Sequence, residues 1–129
     1  MTIKIPVSYG ELIDKLTILE IKKIKISDIE KLENIENEFN LLEESVSEFK
    51  KKNTNKYNKF YSELKEINLN LWEIEDEIRV HEKNNSFNKE FIELARSVYK
   101  LNDIRFNIKN EINLIFNSTI AEQKDYEDY

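Results

Sequence analysis

The chain has one glycine (Gly10), one proline (Pro6) and no cysteine in 129 residues. A β-sandwich or an α/β fold needs turn glycines along its length, so their scarcity argues for long helices. Without cysteine there is no disulfide, no thiolate metal ligand and no cysteine nucleophile. One glycine cannot build a phosphate-cradling loop, and no G-x-S-x-G elbow occurs. His81 is the only histidine, too few for the usual tetrahedral zinc site, and a satisfied, half-exposed ring is expected. No apolar run approaches the ~18 residues of a membrane span. The opening MTIKIPVSYGEL lacks the apolar stretch of a signal peptide, so a cytoplasmic location is expected. A net charge of −6 disfavours nucleic acid and anionic membrane as partners.

What is present is 40% hydrophobic and 36% charged, the blend of amphipathic helices. Residues 1–8 read as an extended arm. Ser8 and Glu11 form a capping box, with Val7 and Leu12 as its staple, so a first helix is predicted over about 9–25. Ser27 and Glu30 repeat the device and begin a second helix that runs to about 52. Asn53-Thr54-Asn55 is the clearest loop. A third helix is predicted over about 56–83, with Tyr57, Phe60, Leu64, Ile67, Leu71, Ile74, Ile78 and His81 in alternating steps of three and four. Asn84-Asn85-Ser86 breaks it, and a fourth helix follows over about 88–116. Residues 117–129 have no period and read as an irregular strap. The whole, 1–129, reads as one all-α domain: an antiparallel bundle of about four helices in two long coiled-coil-like hairpins.

The stretch LWEIEDEIRVHE (71–82) gathers the only tryptophan, the only histidine and five acids. On a helical wheel it divides into a hydrophobic seam, a wet acidic margin and a second face bearing Trp72, Asp76 and Arg79. The fourth helix holds a more unusual group. Asn102, Arg105 and Lys109 interrupt an apolar stripe between Val98 and Ile112, and Glu20 stands mid-face on the first helix. Buried charge needs a partner. Glu20, Asn102, Arg105 and Lys109, with Arg96 nearby, therefore form either an internal salt-bridge network or a pocket for a small anionic ligand. Lys outnumbers Arg by 17 to 3, and the three arginines lie close in sequence, which points to bidentate contacts that lysine cannot copy. Ala95, one of two alanines, marks a candidate close approach of helices.

The segments IPVSYGELIDKLTILEIK (5–22), LWEIEDEIR (71–79), FIELARSVYKLNDIRFNIKNEIN (91–113) and EQKDYEDY (122–129) together resemble a bacterial domain family of unknown function, the DUF6165 group. The likeness covers about half the chain. It implies the helical fold and these candidate residues, but no reaction. Asn117-Ser118 stands where the family pattern carries Gly-Ser.

Two functional readings follow, and the sequence does not decide between enzyme and non-enzyme. The first is a non-catalytic interaction or ligand-binding domain without a cofactor. In this reading the chain is a homodimer that uses Tyr61, Trp72 and Tyr99 as contacts, and binds a protein partner or a small anion. The alternative is a small all-α enzyme, such as a MazG-like nucleotide pyrophosphohydrolase, with Mg²⁺ held by the i,i+3 pairs Glu11/Asp14 and Glu73/Asp76.

Overall fold

The computed structural model describes residues 1–129. It contains four helices and no strand: α1 (Tyr9–Lys25), α2 (Ile29–Lys52), α3 (Thr54–Lys83) and α4 (Lys89–Ile115). No helix is long and apolar enough to cross a membrane.

Each helix begins at a polar side chain that accepts from an otherwise unpaired amide of the first turn. Ser8 accepts from Glu11, Asn53 from Lys56 and Asn88 from Phe91. At α2 the cap is Asp28, which accepts from Lys31, and not Ser27. Two of the helix ends repeat one geometry. Asn85 and Asn117 take the left-handed conformation, with φ of 50° and 55°. After α3, Ser86 donates to the carbonyl of His81 and Asn85 to that of Glu82; after α4, Ser118 donates to Asn113 and Asn117 to Leu114. These are paired six-to-one and five-to-two closures of a helix end, for which glycine is the usual residue and asparagine the next best. The chain therefore stops its long helices with asparagine, and Asn117 keeps the backbone shape that a glycine would give.

α1 lies at the centre. It touches α2, α3 and α4, whereas α2 barely meets α3 and reaches the end of α4 through the Phe49 ring on Phe116. The Tyr9 ring stacks on Phe49 at 4.3 Å and Lys23 pairs with Glu36, so α1 and α2 are antiparallel. Thr17 meets Asn68 and Lys25 meets Glu73, so α1 and α3 run the same way. Asp14 meets Arg105 and Glu11 meets Lys109, so α4 runs opposite to α1. The core joins Leu12, Ile13 and Leu16 of α1 to Val46 and Phe49 of α2, Phe60 and Leu64 of α3, and Ile112 of α4. Each such side chain contributes roughly 1.5–3 kcal/mol by leaving water.

Burial along the α3 seam follows the reach of α1. Tyr57, Phe60, Leu64 and Leu71 are buried, while Ile74, Ile78 and His81 are only half-buried. Residues 74–83 carry α3 about 15 Å further, past the Lys25–Glu73 contact. Only α4 accompanies α3 there.

The close helix approach lies at Gly10 and not at Ala95, which is exposed. A β-carbon at Gly10 would stand 2.5 Å from the main-chain oxygen of Lys109. Here the start of α1 is locked to the end of α4. The Gly10 amide donates to Asn113 Oδ1 at 2.8 Å, the Tyr9 amide donates to Ser118 Oγ at 3.2 Å, and the Glu11 amide donates to Ser8. Three free amides of a buried helix start are thereby satisfied by three side chains.

Candidate functional site

The polar residues expected at the centre of the bundle separate into two groups, one around Glu20 and one around Asp14. Glu20 is not joined to Arg105 or Lys109. It faces α3, where it accepts a hydrogen bond from the Tyr61 hydroxyl and pairs with Lys65 at 3.3 Å. Burial, and then the hydrogen bond to Glu20, raise the Tyr61 pKa above its ordinary value. Beside it, burial and then the Glu43 and Glu20 charges push Tyr57 up to about 12. Tyr61 is therefore an internal partner of Glu20.

The second group is built on Asp14, only 1% exposed. Arg105 grips it with two parallel bonds, Nε to Oδ1 at 2.9 Å and Nη2 to Oδ2 at 2.6 Å. Such forks are among the strongest hydrogen-bonded ion pairs. This hydrogen bonding outweighs desolvation and raises the Arg105 pKa further. Asn68 Nδ2 donates to Asp14 and to Thr17 Oγ1, both at 2.9 Å. Asn102 accepts from Arg105 at 3.3 Å. One turn further along α4, the Lys109 ammonium, 8% exposed, donates to Glu11 at 2.9 Å and to Glu122 of the tail at 2.8 Å. Burial pulls the Lys109 pKa down, but its bonds to Glu122 and Glu11 outweigh that and leave it raised.

The named contacts of α1 with α4 run from Tyr9 to Asp14. Past Ile18 the two helices bound a cleft of about 580 Å³. Ile18, Ile21, Leu71 and Trp72 form its apolar walls, and Asn68, Asn102 and Arg105 its polar floor. Arg79 and Asp76 stand at the α3 side. Arg79 is paired with Glu75 at 2.7 Å and not with Asp76. Thus Trp72, Asp76 and Arg79 share a cleft with Arg105 and Asn102. Arg96 is exposed and joins neither group. His81 Nδ1 lies 2.8 Å from the Ser86 carbonyl, a satisfied half-buried ring at a helix end.

A guanidinium has five N–H donors. In Arg105 two go to Asp14 and one to Asn102, which leaves two for a molecule in the cleft. The Asn68 carbonyl oxygen is likewise unpaired, with its amide orientation fixed by the two oxygens to which Nδ2 donates. An acceptor-bearing group therefore finds donors from Arg105, an acceptor from Asn68 and an aromatic wall from Trp72.

The acids considered for Mg²⁺ do not converge, and no group of three His, Asp or Glu side chains stands together. Glu11 binds Lys109, Asp14 binds Arg105, Glu73 binds Lys25, and Asp76 lines the cleft.

Sequence reasoning overlooked Asn68, Thr17, Asn113 and Glu122, and weighed Asp14 only as a metal ligand. Asn68 carried a usable signal. It falls between Leu64 and Leu71 on the buried side of α3, the same polar break in an apolar stripe that singled out Asn102.

The chain has no match among curated proteins and none among solved structures. Residues 3–129 match the model of DUF6165, a family of unknown function, and the chain belongs to that family.

Proposed function

We propose that this chain is a non-catalytic ligand-binding domain, cytoplasmic and homodimeric, which takes a small molecule bearing an anionic group in the cleft between α1, α3 and α4. The observation that carries this reading is Arg105. Its orientation is fixed by buried Asp14, while two of its N–H groups remain free at the floor of a cleft walled by Trp72. A guanidinium held this way meets a carboxylate or phosphate without first losing side-chain freedom.

Trp72 is the only tryptophan, so its emission reports on this cleft alone. Nucleotides, sugar nucleotides and dicarboxylates, with and without Mg²⁺, are the compounds to titrate; Mg²⁺ is included because the enzyme alternative would use it. A saturable change with at least one anion is expected. Arg105→Lys keeps the charge but loses the fork, and should weaken that binding about tenfold or more. If no anion moves the emission, the reading fails.

The homodimer rests on a different observation. The α3–α4 hairpin beyond Lys25 continues a coiled-coil-like seam whose residues, Ile74, Ile78, Phe91, Leu94 and Val98, are only half-buried. A second hairpin laid against it would complete a four-helix layer of the kind that buries Leu64 and Leu71 nearer the core. Light scattering on the full chain should give twice 15.5 kDa; a monomer at every concentration removes the dimer and leaves the cleft untouched.

A further inference from the structure

Residues 117–129 form neither helix nor strand, and beyond Ser118 they make no backbone hydrogen bond to the bundle. Side chains hold them to α4. Glu122 binds Lys109, Lys124 binds Asp103, and the Tyr129 ring lies 5.2 Å from that of Tyr99. The bond from Lys124 holds the Asp103 carboxyl below its usual range. Between this strap and α4 lies a second cleft, of about 970 Å³, separated from the first by Arg105 and Asn102, which line both.

Lys109 stands in the floor of that second cleft, more than nine-tenths buried, with two carboxylates on one ammonium. One carboxylate suffices to neutralise a buried cation. Glu11 does so from the rigid α1. Glu122 is the second, half-exposed, and comes from a strap without backbone anchorage. Exchange of Glu122 for another anion keeps a negative group beside Lys109, so the swap leaves no buried cation unpaired.

We propose that Lys109 is an anion subsite, closed in the free chain by Glu122, which accepts a phosphate or carboxylate group of a ligand and releases the tail as it does so. The ligand binds only the state in which Glu122 has left. Its binding free energy is therefore reduced by the strength of the strap, and the tail acts as an internal competitor. The subsite does not depend on the Trp72 cleft being occupied.

The test uses the full chain and two simple anions. In the closed strap the Lys124 ammonium is tied to Asp103 and lies against the Phe106 and Tyr126 rings, so tryptic cleavage after Lys124 reports release. Inorganic phosphate and acetate are titrated at constant ionic strength against chloride, because screening alone loosens exposed ion pairs. Phosphate or acetate should speed that cleavage where chloride does not, and the anion acting at lower concentration identifies the group. Glu122→Gln removes the competitor without touching the core. Calorimetry should then show phosphate, or acetate if that is the acting anion, binding about threefold to tenfold tighter. Equal cleavage in matched chloride, or unchanged anion affinity in Glu122→Gln, overturns the proposal. Neither readout uses Trp72 emission, so the cleft reading stands or falls separately.

Discussion

Gly10→Ala should lower stability by about 3 kcal/mol, with a fall in Tm on the order of 10 °C. Helix propensity alone predicts the opposite, a gain of about 1 kcal/mol for replacing a helical glycine with alanine. Position decides the sign. The added methyl would sit 2.5 Å from the Lys109 main-chain oxygen and 3.1 Å from Asn113 Oδ1. The first of these belongs to a helix backbone and has no rotamer to escape through. α1 and α4 must separate, and separation stretches the Gly10 amide bond to Asn113 and the Tyr9 amide bond to Ser118. Ala95→Gly is the matching control at an exposed helical site and should cost only about 1 kcal/mol. Thermal melts of the two variants check this directly. A Gly10→Ala chain as stable as the parent, or more so, would mean that the helices are not this close.

The helix limits are legible in the sequence to within a residue or two, because capping boxes and asparagine breaks are local signals, although the α2 cap is Asp28 where the pattern selects Ser27 and α3 begins at Thr54, inside the expected loop. That Arg105 and Lys109 face inward is legible too, as polar breaks in an apolar stripe. Their partners are not. A helical wheel assigns one inward face to each helix, and on α1 it selects Tyr9, Ile13, Leu16 and Glu20. But α1 is central and is buried on nearly every side, so Asp14 and Thr17, off the chosen face, are as buried as Ile13. The wheel places Glu20 inward and then joins it to the wrong helix, because nothing in a single helix's periodicity says which neighbour lies on which side. The contacts that build the first cleft join residues about 50 to 90 positions apart, such as Asp14 with Asn68 and Arg105. The role of Glu122 is hidden for another reason, since a segment without periodicity gives no face to assign.

Asp14→Ala should cost about 3 kcal/mol, near the lower end for breaking a buried pair, because Arg105 is a quarter exposed and recovers some hydration. Removal of the carboxylate also takes one of the two oxygens to which Asn68 Nδ2 donates. The instructive variant is the double one. Asp14→Leu with Arg105→Met fills roughly the same space with apolar atoms, and buried ion pairs exchanged in this way are often neutral in stability. The double variant should therefore melt within about 1 kcal/mol of the parent, well short of the summed costs of the two single losses. If it is as unstable as Asp14→Ala, the pair is a net source of stability and a structural role suffices to explain it. If it is stable yet its Trp72 emission no longer responds to the anion that moves the parent's, folding does not require the pair and binding does. A chain that needs Arg105 only to bind still has to hold its guanidinium at the base of the cleft between titrations, and a carboxylate 1% exposed on the central helix holds it there.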